Sequence, residues 1–321
     1  MSLAVIVGAT GTQGGSVARV LAKDPSWKVR GLTRNAASAK AKALEAIGVE
    51  IVAADLNDVG TLQAAFKGAT AIFAVSDFWT AVFQGGIDTA QTVELQHLIN
   101  IADSAAQIPT LKHLVLSVLP SCDKLSGGKL PCPHWDAKAR GADYVKTSLP
   151  QLSAKTTFVW TGFYLDNFAN LPSMQPQPFL GNYILAQASK PDAIVPCGGI
   201  VATNTGIVVQ AILSQPEKTY GKYVPIITDL ISWTRIAEEW SKAAGKTAVY
   251  AELTDSEATK AYGPLFGPEI ASQLRFSEQY PDWNKFYPEE TVTLKELGVK
   301  DKVVGVAQGL ELLKDQIIPR P

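Results

Sequence analysis

The sequence predicts an α/β chain, a doubly wound parallel sheet followed by a smaller α/β region on the substrate side. Three observations carry this. The opening stretch MSLAVIVGATGTQGGSVARVL reads as apolar strand, glycine-rich turn and helix. Short apolar, β-branched runs then alternate with helical periodicities as far as residue 160, the pattern of a parallel sheet with helices on both faces. Beyond Asn167 that alternation stops, and seven of the 19 prolines fall between Pro172 and Pro225.

The first strand is expected over Leu3 to Val7, because nothing in the run alternates with polar side chains. Gly8, Gly11 and Gly14 follow at three-residue spacing, with Gly15 beside them and Thr10 and Thr12 in the same turn. Glycine is the residue that lets a backbone turn tightly and approach a pyrophosphate closely. The helix starting near Thr12 then aims its free N–H groups and positive dipole end at the same place. Val17, Val20 and Leu21 supply its apolar face.

Lys28 to Thr33 reads as the second strand and ends on Arg34. This position selects the nucleotide: an acidic residue here binds the ribose 2′-hydroxyl of NAD, and an arginine accommodates the 2′-phosphate of NADP. No Asp or Glu lies between Trp27 and Ala43, and Lys40 and Lys42 add positive charge. An ordinary solvated arginine is the alternative. Val49 to Ala53 is the third strand, closing on Asp55, whose carboxylate reads equally as a contact for the adenine amino group or as a cap for the helix containing Leu62 to Phe66.

Ala71 to Val75 is the fourth strand and leads into Ser76-Asp77-Phe78-Trp79. A helix from about Val93 to Ala106 carries Leu95, Leu98, Ala102 and Ala105 on one face, leaving His97 as a solvated surface residue. Leu111 to Ser117 is the fifth strand, in which His113 points outward without a role and Ser117 reaches the sheet edge. Thr156 to Thr161 is the sixth, followed by Gly162, Phe163 and Tyr164. Ligands of open α/β sheets lie beyond the carboxyl ends of the strands, so Ser76, Ser117 and the Gly162 turn should line one cleft.

The organisation expected is a nucleotide-binding region over 1–165, joined by a returning segment near 200–215, and a smaller substrate- or partner-side region over 166–321. Within the latter, Thr205 to Leu213 and Trp233 to Ala244 read as helices, the second stopping at Gly245. Phe266, Phe276, Tyr280, Trp283, Phe286 and Tyr287 accumulate late; core packing accounts for most such residues, and a lid over an apolar pocket is the other reading.

Lys+Arg 29 against Asp+Glu 30 gives a net charge of -1, which does not favour nucleic acid as a direct partner. Three cysteines, Cys122, Cys132 and Cys197, make no disulfide framework and fit a reducing compartment. The first apolar run is cut by glycine and has no basic flank, so it does not read as a secretory signal, and no run reaches the ~20 residues of a membrane span. The expectation is a soluble, cytoplasmic protein, with the nucleus also open.

Pro133-His134-Trp135-Asp136-Ala137-Lys138 opens a helix that runs on through Tyr144 and Val145. His134 and Lys138 are four residues apart and so share a face. A hydride-transfer site needs a cation for the nicotinamide ribose and an acid for the developing anion; Lys138 suits the first, and His134 or Lys138 itself the second. An exposed lysine and an idle histidine are the plain alternative. No metal site is expected: Cys132 and His134 are two apart, but no second pair joins them, and Cys122 sits in a loop without an evident partner. No Gly-x-Ser-x-Gly elbow of a serine hydrolase occurs.

Four segments in order, VGATGTQGGSVARVL, LTRN, SDFW and PHWDAKARGADYVK, resemble the NmrA-like family of atypical short-chain dehydrogenase/reductases, and within it the NADPH-sensor type. The likeness is collinear from about residue 3 to residue 215. It implies a Rossmann core that binds NADP(H), with Gly8, Gly11 and Gly14 at the pyrophosphate and Arg34 at the 2′-phosphate. Lys138 matches the lysine shared with plant isoflavone and pinoresinol reductases, and Ser76, Phe163 and Tyr164 would face the nicotinamide. The tyrosine that active short-chain reductases carry four residues before the lysine is His134 here, and Tyr144, six residues on, turns away from Lys138. The resemblance therefore implies a redox-responsive regulator with little turnover, whose cofactor occupancy shifts the turns at Ser76 and Gly162 and is read by a protein partner. The other reading is an NADPH-dependent reductase of a small apolar carbonyl, enone or imine. A homodimer is compatible with either.

Overall fold

Seven parallel strands form the central sheet, in the spatial order Tyr223–Ile226, β6 (Thr156–Thr161), β5 (His113–Val118), β4 (Ala71–Ala74), β1 (Ser2–Ile6), β2 (Trp27–Thr33), β3 (Glu50–Ala53). The computed structural model describes residues 1–319. The strand order reverses between β1 and β4, which opens a crevice at their carboxyl ends. β4, β5 and β6 are buried along their whole length, as parallel strands covered on both faces must be.

Alternation along β1 shows the two faces directly. Val5 and Val7 pack with Leu62, Phe66, Leu98, Ile101 and Phe158 on one side; Ala4 and Ile6 pack with Val17, Leu21, Val208 and Ile212 on the other. The first side is covered by α3 (Val59–Phe66), α4 (Phe78–Ala106) and α6 (Pro133–Ser148), the second by α1 (Thr12–Leu21) and the helix Val201–Ser214. Short helices α2 (Ala39–Glu45) and α5 (Cys122–Ser126) fill two of the connections. Val201–Ser214 lies so close to α1 that a Cβ on Gly206 would stand 2.5 Å from the Ser16 carbonyl oxygen.

The remaining chain builds two three-stranded sheets, one of Asp229–Ser232, Ile194–Gly199 and Phe163–Tyr164, the other of Ala248–Glu252, Asn182–Gln187 and Gln177–Phe179. Trp233, Ile236 and Trp240, all on the inner face of the helix Trp233–Ala244, join Leu165, Phe168 and Leu310 in a separate core. That helix ends at Gly245 in the left-handed conformation, as its sequence foretells. Among the described residues no helix is long and apolar enough to cross a membrane.

Several expectations are corrected. α4 begins at Phe78 rather than near Val93; the intervening Gly86 adopts φ +80 and breaks the helix without ending it. His113 is buried, its Nε2 2.8 Å from the Thr157 hydroxyl, because β5 lies inside the sheet with no solvent face. Burial pushes its pKa down to about 4. His97 is half-buried rather than solvated, with Nε2 3.0 Å from Asn57 Oδ1. Cys122 is fully buried at the start of α5, beside Cys132. The late aromatics pack as expected: Phe276 and Trp283 belong to the core against α6, where Trp135 packs edge-on against both rings.

Candidate functional site

The turn between β1 and α1 is set by two glycines. Gly8 takes φ +71, and a Cβ on Gly14 would lie 2.3 Å from the Gly8 carbonyl oxygen, so only a bare backbone can close the loop this tightly. No side chain caps α1, whereas Ser38, Asp58 and Asp77 cap α2, α3 and α4. The first amides of α1 face a concave backbone surface, an arrangement suited to a phosphate. Thr10 closes on the same region, its hydroxyl 3.3 Å from that of Thr33 at the end of β2.

Arg34 and Asp55 stand at the ends of β2 and β3, both exposed. The Arg34 guanidinium lies 3.6 Å from the Asp77 carboxylate. The capping alternative for Asp55 is corrected: Asp58 caps α3, accepting from Gly60 N–H at 2.9 Å, while Asp55 Oδ1 accepts from Asn57 N–H at 2.8 Å. That bond lowers the Asp55 pKa against the opposing effect of burial, with lesser help from the Asn57 side chain and the His97 and Arg34 charges.

From this rim the crevice deepens into a cavity of about 700 Å³ between the carboxyl edge of the sheet and the helix Asp255–Gln279. It brings together Thr12, Ser76, Ser117, His134, Lys138 and the Gly162-Phe163-Tyr164 turn, drawn from five separate stretches of sequence. Phe78, Trp79, Phe83, Trp135 and Phe266 make much of the wall apolar and aromatic. Trp79 packs against Phe266 at 5.2 Å between ring centres, and Phe83 against Phe266 at 5.4 Å.

Lys138 is paired with Glu94, a fully buried carboxylate from α4, and its Nζ donates to the Ser76 hydroxyl at 2.9 Å. Ser76 in turn donates to Glu94 Oε1 at 2.7 Å. Glu94 Oε2 has no hydrogen-bond partner among the described residues. One turn earlier on α6, His134 Nδ1 contacts Glu269 Oε1, with Cys132 Sγ 3.5 Å from the same nitrogen. Burial disfavours charge on His134, but Cys132 and the Glu269 carboxylate outweigh it and raise the imidazole pKa. Because burial keeps the Cys132 thiol neutral, Glu269 supplies the charge that matters. Cys132, His134 and Glu269 bring potential metal-ligating atoms within 4.8 Å of one another, a grouping that spacing along the chain did not foretell.

Gln13 bridges the two halves of the crevice. Ser117 donates to its Oε1 at 2.8 Å, and its Nε2 donates to the Tyr164 hydroxyl at 2.6 Å. Burial pushes the Tyr164 pKa up to about 12 against that bond, so the phenol stays neutral. Tyr144 bonds Asp103 at 2.8 Å and is absent from the cavity wall, in line with its helical offset from Lys138.

Sequence reasoning missed Gln13, Glu94 and Glu269. Glu94 had a readable signal, since it lies four residues before Leu98 on the buried stripe of α4, where a carboxylate needs a partner. Glu269 had no local signal, coming 135 residues after His134.

A profile of the NmrA-like family matches residues 1–306. An NmrA-like family domain-containing protein of Dictyostelium discoideum is 30% identical over 292 residues, covering 88% of this chain and 90% of that protein. The NmrA-like family domain-containing oxidoreductase cpsB of Aspergillus campestris is 29% identical over 338 residues, covering 97% and 94%. Among solved structures, NmrA, a negative transcriptional regulator in complex with NADP, superposes with a TM-score of 0.76 at 21% identity, covering 98% of this chain and 96% of that one. Family profile, relatives and fold agree: the chain belongs to the NmrA-like family.

Proposed function

We propose that this protein binds NADP(H) across the crevice and reduces a small apolar carbonyl compound in the cavity beyond it. The observation that carries the reading is the cavity itself, about 700 Å³ of largely aromatic wall with Lys138, Ser76 and His134 set into it.

The residues present fit the nucleotide. The backbone cradle at Gly8, Gly11 and Gly14 would be filled by any Cβ at Gly14, and the uncapped amides of α1 would hold the pyrophosphate. Arg34 would meet the 2′-phosphate, Ser76 and Lys138 the ribose next to the nicotinamide, and the Gly162 to Tyr164 turn the ring. Bound there, reduced nicotinamide supplies a hydride. Lys138 orients the ribose while its partner Glu94 holds it in place, and the aromatic wall excludes water. His134 offers a proton.

A regulatory reading has its own support, in that Lys138 is already satisfied by Glu94 and Ser76 and the NmrA relative is a transcriptional regulator. The two readings separate on one measurement. NADPH absorbance should fall steadily with aryl ketones or enones present and stay flat with Lys138→Met; a flat trace for the unaltered protein across a broad carbonyl panel would leave regulation as the function. For cofactor choice, calorimetry should show NADPH bound more tightly than NADH, with Arg34→Glu removing the preference. Equal affinities in the unaltered protein would take Arg34 out of the site.

A further inference from the structure

Glu269 lies on the kinked helix Asp255–Gln279 and is 4% exposed. A single one of its oxygens, Oε1, meets three donors: the His134 ring at Nδ1, the His134 backbone N–H at 2.9 Å and Cys132 Sγ at 3.4 Å. Donors that converge in this way hold the carboxylate in one orientation. The ring and the carboxylate are in direct hydrogen-bond contact. With Nδ1 engaged, Nε2 is the remaining polar atom of the ring and has no partner among the described residues. The ring is flanked by Trp79 at 5.2 Å and Phe78 at 5.8 Å and forms part of the cavity wall.

We infer that His134 and Glu269 form an acid dyad, in which Glu269 fixes the imidazole and Nε2–H protonates the oxygen of a flat, uncharged carbonyl substrate. This rests on the reductase reading given above. In the step, the carbonyl carbon accepts hydride from NADPH, the C=O π pair moves to oxygen, and that oxygen takes the Nε2 proton. The products are an alcohol and NADP⁺, and His134 is left neutral on Glu269 until water reprotonates it. The dyad takes the place of the tyrosine that lies four residues before the lysine in related reductases. The charge balance also restricts the substrate. Lys138 is matched by Glu94 and His134 by Glu269, Asp166 of the cavity wall accepts from the backbone N–H groups of Val201 and Ala202, and the proton donor itself repels a cation. Protonated imines are thereby disfavoured against ketones and enones of the same shape.

The protein has three histidines, so the dyad is open to direct titration. Imidazole NMR on the nucleotide-free protein, assigned with His97→Gln and His113→Gln, should show His134 alone still protonated at about pH 8. The titrating groups around it are Glu269 from the kinked helix, Cys132 from its own loop and the Lys138–Glu94 pair one turn on, while α4 presents the aromatic rings of Phe78 and Trp79. Glu269→Gln should bring the His134 titration down to the ordinary imidazole range or lower, and Glu269→Asp should keep part of the elevation. In turnover of an aryl ketone, Glu269→Gln should lower kcat about 10²-fold with little change in KM, and a cationic cyclic iminium of the same outline should be a poor substrate for the unaltered protein.

The titration of the unaltered protein stands even if the variants fold badly, and a His134 that titrates at or below the ordinary value overturns the dyad. So does stoichiometric zinc that survives dialysis and silences the titration, or ketone reduction indifferent to Glu269→Gln. Absence of any carbonyl turnover sinks the reductase reading and the proton transfer with it, a different result from these.

Discussion

Lys138 and Glu94 show how one side chain can be legible while its partner is not. A lysine at the fourth position after a histidine on a helix next to a sheet edge is a recognisable pattern. The carboxylate paired with it lies 44 residues earlier and shows itself only as an anomaly in an apolar stripe. Glu94→Ala would strand the Lys138 ammonium in a nearly water-free wall, and the expected loss is about 3–5 kcal/mol of folding stability by urea denaturation. A loss under about 1 kcal/mol would mean that water reaches the pair. The histidines make a second case at this scale. His113 is held neutral with a pKa of about 4, below the ~6.5 of an unfolded chain, so its share of stability is complete above about pH 6.5 and is lost as pH falls toward 4. At about 1.4 kcal/mol per unit that is a few kcal/mol, and His113→Gln should flatten acid denaturation over this window. His134, raised rather than lowered, has the opposite sign: its stabilisation is present in acid and is lost as pH rises through its elevated value.

The helices and strands of the first 160 residues were readable wherever periodicity and flanking glycine agreed; β6 and the Trp233–Ala244 helix fall at the residues expected. α4 was the exception. Gly86 leaves helical geometry and kinks α4 between two helical stretches, while Phe78, Ala81 and Val82 on one side of the kink and Ala90 on the other bury in one cluster with Ala137 of α6. Tertiary packing overrode a local signal. The contact between α1 and Val201–Ser214 is of the same kind, since a helix whose sequence shows only an apolar face proves to rest backbone against backbone. Gly206→Ala would push a methyl group into the Ser16 carbonyl, with an expected cost of about 1–3 kcal/mol and a matching drop in melting temperature. An unchanged melting temperature would show that the two helices can shift apart freely.

On the scale of the whole chain, the doubly wound sheet was legible because its first six strands come from apolar runs that alternate with helical periodicities. The strand at the far edge was not. Tyr223–Ile226 is four residues long, contains Pro225, and sits in the proline-rich stretch where alternation had ended. It pairs with β6 all the same, from Tyr223 opposite Phe158 to Ile226 opposite Thr161. The late aromatic rings likewise gave no hint of which would reach the cavity: Phe266 comes to it on a helix that bends at Gly263, and Trp283 from the turn beyond that helix.

That far-edge strand also bears on how the polypeptide can be cut. A fragment ending at residue 165 would carry every motif that suggests nucleotide binding, yet it would bare the hydrogen-bonding rim of β6 and the flank of α1 against which Val201–Ser214 now rests. Expressed alone, it should collect in inclusion bodies or show broad, poorly dispersed NMR lines, and a well-dispersed spectrum would contradict this. The half of the molecule that looks self-contained on paper is assembled by residues the ribosome has yet to make.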